Sequence, residues 1–166
     1  MADCGSLPKG IECGIKVFKE RCALCHGALG LGEGALPLSL SNYPNTNLLS
    51  EKTKGLARQE ILRIITNGGI LDEISSETPP WHDEFTCLEI DSVVAFVTAL
   101  KAQPNAFLQR LQHDAAKLSP SLKRGRQVYK SRCVLCHGVN ADGQGKMAKI
   151  IKLPPPFNLI PIALSK

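Results

Sequence analysis

Two stretches constrain this chain more than any other: Cys22-Ala23-Leu24-Cys25-His26 and Cys133-Val134-Leu135-Cys136-His137. Two thiols three positions apart share one helical turn, with a histidine directly after them. Cys-x-x-Cys alone fits a redox dithiol or half of a zinc site. With a trailing His it is the attachment pattern of haem c. The thiols form thioethers with the two vinyl groups, and the imidazole binds the iron from one face. Its double occurrence predicts two covalently attached haem c groups, one on Cys22, Cys25 and His26, the other on Cys133, Cys136 and His137.

The length of 166 residues leaves room for one ordinary domain or two small ones. Aromatic residues are scarce, which suits small domains whose core is filled largely by a porphyrin. No apolar run approaches the roughly 18 residues of a membrane span, so no transmembrane segment is expected. The formal charge is +5, with basic and acidic residues interspersed, and haem propionates would reduce it further. Nothing resembles a nucleic-acid footprint. Covalent haem attachment points to a periplasmic or otherwise extracytoplasmic location. Residues 1–20 lack a basic segment followed by an apolar one, so the expectation is a chain from which the leader is absent. Four of the seven cysteines go to haem, leaving Cys4, Cys13 and Cys87. That odd number allows at most one internal bridge. A Cys13–Cys87 bridge would tie the first helix to the last; otherwise Cys87 reads as a small buried hydrophobe.

Taken in order, residues 1–13 read as a tail leading into the first helix. Ile11, Ile15, Phe18 and Cys22 fall at helical spacing, so a helix delivers the first motif. The glycine-rich run from Gly27 to Gly34 suits a loop lying against a flat ring. Residues 56–67 read as a helix ended by Gly68-Gly69, and Thr78-Pro79-Pro80-Trp81 as a rigid extended segment. Thr86-Cys87-Leu88-Glu89 is a capping box. It opens a helix whose Ile90, Val93, Val94 and Val97 form a stripe. Residues 104–120 read as a linker helix. A shift of 111 positions then carries Gly14 onto Gly125, Phe18 onto Tyr129, Arg21 onto Arg132, and Gly32 and Gly34 onto Gly143 and Gly145. The same shift carries Pro44, Asn47 and Leu48 onto Pro155, Asn158 and Leu159. The domain is duplicated, but residues 121–166 hold only its front half.

Gly14, Phe18, Cys22, Cys25, His26 and Gly27, the glycine loop, Asn67-Gly68-Gly69, Pro79-Pro80-Trp81 and the last helix resemble a class I cytochrome c domain. The resemblance covers residues 14–101 in full, within a first domain at 14–103, and 125–159 as a front half. It implies an all-α fold, a cytochrome c-like haem domain followed by a truncated second copy. The first and last helices are then expected to cross with Gly14 at the contact. It also implies single-electron transfer between redox proteins, acting as donor and acceptor. Many such domains take the sixth iron ligand from a Met opening Met-Pro-x-Trp/Phe-Gly. Here Thr78 stands at the Met position and His82 at the Gly position.

His82 is therefore the candidate sixth ligand of the first haem, against a solvated loop histidine or one bonded to a propionate. Exchanging Met for His is expected to lower the reduction potential. For the second haem, Met147 and His113 are weak candidates, with core filler and exposed surface histidine as their bland readings. Trp81 is expected at the haem edge or on a propionate. Arg21 and Arg132 either neutralise propionates or face water. Leu153 to Phe157, Ile160 to Leu164 and the uncovered helix at 121–132 invite a homo-oligomer interface. The rival class is a haem peroxidase-like or small-molecule redox enzyme with one open iron, and a haem-based sensor is a third.

Overall fold

The computed structural model describes residues 10–35, 43–69, 77–115, 121–149 and 159. Among these residues the architecture is all-α, with no named strand and one isolated bridge between Leu31 and Asn47. Helix α1 (Ile11–Val17) runs through a π-helical turn (Phe18–Cys22) into α2 (Ala23–His26). After the glycine loop come α3 (Glu51–Lys54), α4 (Arg58–Asn67), α5 (Cys87–Ala102) and α6 (Pro104–Ala115). The second copy contributes α7 (Leu122–Val128), a π-helical turn (Tyr129–Cys133) and α8 (Val134–His137). A short 3-10 turn (Lys146–Lys149) follows. The tail before Gly10, the 153–157 and 160–164 stretches and the last residues of the expected linker helix lie outside the described residues.

The core forms where α1 crosses α5. Cys13 and Val17 of α1 meet Val93, Val94, Phe96 and Leu100 of α5, and all are almost wholly buried. The helices come this close because Gly14 has no side chain. A Cβ there would land inside the Ser92 carbonyl and against the Phe96 Cβ. Phe96 anchors a ring cluster, with Phe18 at 5.1 Å and Phe107 edge-on at 5.9 Å between centroids. Phe107 belongs to α6, as does fully buried Leu111, and Arg110 of α6 pairs with Glu12 of α1. The helix read as a linker therefore packs back onto the first unit.

Helix α5 begins as the capping box predicts. The Thr86 hydroxyl accepts from the Glu89 N–H at 3.3 Å, and the Glu89 carboxylate accepts from the Thr86 N–H at 2.8 Å. Thr86→Ala is expected to cost about 1 kcal/mol, read as a lower urea midpoint with an unchanged slope. Cys87 does not behave as expected. It is exposed and free, whereas Cys13 is disulfide-bonded, so no Cys13–Cys87 bridge forms. As the first residue of α5, directly after the Thr86 cap, Cys87 lies off the packed stripe and is turned to solvent.

Helix α4 ends at Gly68, whose φ of +85° suits glycine. Its last carbonyls, which no helical N–H can reach, are taken by the proline segment. Trp81 N–H donates to Ile65 O at 3.1 Å and His82 N–H to Thr66 O at 3.3 Å, while Gly69 N–H donates to Thr78 O at 3.0 Å. Trp81, buried, stacks on Phe85 at 4.7 Å with the planes 3° apart.

The second copy is built alike but covered differently. A Cβ at Gly125 would meet nothing within 4 Å, and Leu122 of α7 is 95% exposed. Its other contacts run to the first unit. The two π-helical turns pack together, Met147 is buried in the shared core, and Lys146 Nζ pairs with Glu84 at 2.8 Å.

Candidate functional site

The first candidate centre is assembled where α1 stops being a regular α-helix. Ala23 N–H donates to Phe18 O, an i→i+5 bond that widens the turn just before Cys22. Cys22 and Cys25 are free thiols on that turn. Burial pushes Cys22 up to about 12, with Cys25 adding to the rise, and burial also raises Cys25. Neutral, raised thiols are the opposite of a nucleophilic dithiol. Among the described residues no three His, Cys, Asp or Glu side chains gather as a metal site. The zinc and dithiol readings have no support in this geometry.

His26 is held from behind. Its Nδ1 lies 2.7 Å from the Thr46 carbonyl, which can only accept. Nδ1 therefore carries the proton and Nε2 the lone pair, the arrangement of a metal-binding imidazole. Burial pulls the His26 pKa below its ordinary value, so the neutral form prevails at neutral pH. The Thr46 hydroxyl also donates to Cys25 O at 2.8 Å, locking this segment to the motif from both sides. Gly32 N–H donates to His26 O at 2.9 Å, and Leu48 N–H to Gly30 O at 2.9 Å. Glu33 closes the loop, its carboxylate taking the Leu29 and Leu31 N–H groups at 2.7 and 2.8 Å.

The second candidate centre repeats the backbone bonds of this frame. Val134 N–H donates to Tyr129 O, again i→i+5. Gly143 N–H donates to His137 O at 2.8 Å, and Leu159 N–H to Ala141 O at 2.8 Å. Gly138 and Gly143 keep the positive φ of Gly27 and Gly32. Ala141 takes the place of Gly30 at φ +61°, the one non-glycine with positive φ among the described residues. Burial raises the Cys136 thiol, with Cys25 and Cys133 adding to it.

Both donor sets fit a covalently held haem: a thiol pair with, at the first, an imidazole whose Nε2 is available. Beside the first, Arg21 Nε is buried without a partner, a donor suited to an anionic group of such a cofactor. Arg132 instead faces solvent. Met147 is a buried core residue. His113 lies on α6, but its side chain falls outside the described residues. His82 is half-exposed, with Nδ1 3.0 Å from Thr66 O and Nε2 3.4 Å from Asp83. The π-turns, α3, Tyr43, Thr46 and the loop carboxylate were not legible from residue spacing. Only the acidic residue in each glycine loop gives a signal that could have pointed to the last.

Residues 11–97 match the family described as cytochrome C oxidase, cbb3-type, subunit III, and residues 122–163 match cytochrome c. The chain is 29% identical over 144 residues to the cbb3-type cytochrome c oxidase subunit FixP of Sinorhizobium medicae, covering 82% of this chain and 42% of that one. It is 31% identical over 144 residues to the subunit CcoP of Rhodobacter capsulatus, covering 81% and 41%. The chain thus spans about two fifths of the length of the curated relatives it matches. Among solved structures, a Kuenenia stuttgartiensis reducing HAO-like protein complex is similar at 26% identity, covering 90% of this chain and 74% of that one. Its TM-score is 0.43, too low to speak for the fold.

Proposed function

The chain belongs to the family of cytochrome c oxidase, cbb3-type, subunit III, and from that premise we propose that it is an extracytoplasmic dihaem carrier of single electrons between redox proteins. The carrying observation is the doubled frame, in which two Cys-x-x-Cys-His turns are held by the same backbone bonds. Its named relatives are subunits of cbb3-type oxidases, so an oxidase complex is the proposed acceptor side. The chain itself relays electrons and transforms no substrate. Its proposed organisation is a first unit at 14–103, a connecting segment at 104–120 and a second unit from 121 onward.

The proposed roles follow the donor chemistry. Cys22 and Cys25, and Cys133 and Cys136, hold the two haem groups as thioethers. His26 and His137 would bind the two irons. Haem bound there supplies reversible one-electron chemistry at its iron. The chain keeps the imidazole tautomer fixed through Thr46, shields the first turn with α5, and sets the polarity around each group.

His82 is proposed as the sixth ligand of the first centre. As at His26, Nδ1 points to a backbone carbonyl and leaves Nε2 for a metal. Its half exposure and the nearby Asp83 favour a second reading, a surface brace over the end of α4. His82→Ala separates them. The ligand reading expects the low-spin ferric signal of one haem to become high-spin and carbon monoxide to bind after reduction. An unchanged spectrum leaves the brace. For the function as a whole, low-spin signals from both haems and rapid reversible one-electron reduction are expected in the unaltered protein. Peroxide turnover at an open iron would overturn the carrier reading.

A further inference from the structure

The two copies differ most in charge. Residues 14–103 carry eight Lys and Arg against eleven Asp and Glu, whereas 121–166 carry nine against the single Asp142. Five of the nine, Lys123, Arg124, Arg126, Lys130 and Arg132, fall on α7 and the π-helical turn that leads into Cys133. No acid lies among them, and all but the half-buried Arg124 are exposed.

The shift of 111 positions sets three of these charges on a face that the first copy packs away. Arg124 stands for Cys13 and Arg126 for Ile15, both buried in the core of the first unit. Lys123 stands for Glu12, which pairs with Arg110 of α6. Among the described residues no helix crosses α7 at Gly125 as α5 crosses α1 at Gly14. An apolar helix laid there would take guanidinium groups out of water and offer them no partner. A second α7 would bring like charge against like charge. Helix stability does not account for the substitutions either, because a helix N-terminus favours acidic side chains. Helix α1 has Glu12 in its first turn, whereas α7 has no acid there. An anionic bilayer would require an apolar stripe beside the charges. Leu122 and Val128, the exposed apolar side chains of α7, stand six positions apart and so lie on different sides of the helix.

We infer that this face of the second unit is the docking surface for an acidic redox protein. One electron leaves the reduced partner and takes the iron of the second centre from ferric to ferrous. The inference rests on the carrier reading above.

The probe is a reduced flavodoxin, an acidic one-electron donor, mixed with the full-length haem-loaded protein. Electron transfer is expected to slow about tenfold between low and physiological salt. Combining Lys123→Glu, Arg126→Glu and Lys130→Glu is expected to slow it about tenfold at low salt and to flatten the salt dependence. Reversal on α3, by Lys52→Glu with Lys54→Glu, should change the rate by less than about twofold. Uncharged lumiflavin semiquinone should reduce all three proteins equally, which shows the fold and the haem groups to be intact. A salt-independent rate, or equal losses in the two variants, would overturn the inference. So would a dimer of the parent, or its binding to phosphatidylserine vesicles at physiological salt, if the triple variant abolishes either. A parent protein that lumiflavin cannot reduce would instead overturn the carrier reading.

Discussion

Gly14→Ala is expected to destabilise the first unit by about 3 kcal/mol or more, while Gly125→Ala, its counterpart in the repeat, costs nothing. At Gly14 the added methyl would occupy the Ser92 carbonyl and press on Phe96. Neither neighbour is the far end of a flexible side chain, so α1 and α5 must separate. Overpacking of this kind costs about 1–3 kcal/mol in ordinary cores and more where backbone must move. A small domain has about 5–15 kcal/mol in all. At Gly125 the methyl enters open space, and alanine in mid-helix is favoured by up to about 1 kcal/mol. Trp81, the lone tryptophan, is buried in the first unit, so its fluorescence during urea unfolding reports on that unit selectively. Equal effects at the two glycines would mean that α7 has a helix packed over it in solution.

Removing one thiol pair is expected to remove one haem and spare the other. Cys133→Ala with Cys136→Ala leaves the first turn untouched, since its imidazole is oriented by Thr46 and its loop closed by Glu33. The mass of the purified protein should fall by one haem, and the alkaline pyridine spectrum should report one haem per chain instead of two. The reciprocal pair, Cys22→Ala with Cys25→Ala, is expected to lose its haem and much of its stability as well. Cys22 packs directly against the core that α1 and α5 form. Retention of two haems in either double variant would refute the assignment of the thiols.

Much of this was written in residue spacing. The motif, its 111-residue repeat, the Thr86 capping box and the Gly68 stop each carry a local signal that survives without tertiary information. The Gly14 contact was legible too, through the family resemblance. What spacing could not supply was geometry that depends on a slight departure from regularity. A π-turn has the same apolar pattern as the helix it interrupts, so Phe18–Cys22 reads as ordinary helix. The pairing of Cys13 stays open in the sequence, and the expected burial of Cys87 fails because the direction of a side chain at the start of α5 is not written in spacing. Tyr43 gave no signal at all, because the Cys25 sulfur that its hydroxyl meets lies eighteen residues away.

The glycine loops hold a last consequence. In the first copy the carboxylate lying over the glycine that follows the motif histidine comes from Glu33; in the second it comes from Asp142, the counterpart of Leu31 rather than of Glu33. The shorter acid, displaced by two places, brings its oxygen to the same spot over Gly138 and accepts from Gln144 N–H at 3.0 Å. The two copies thus lay a carboxylate over the same glycine while differing in the residue and the position that supply it. Matching columns alone would score a mismatch where both copies set a carboxylate over the same glycine.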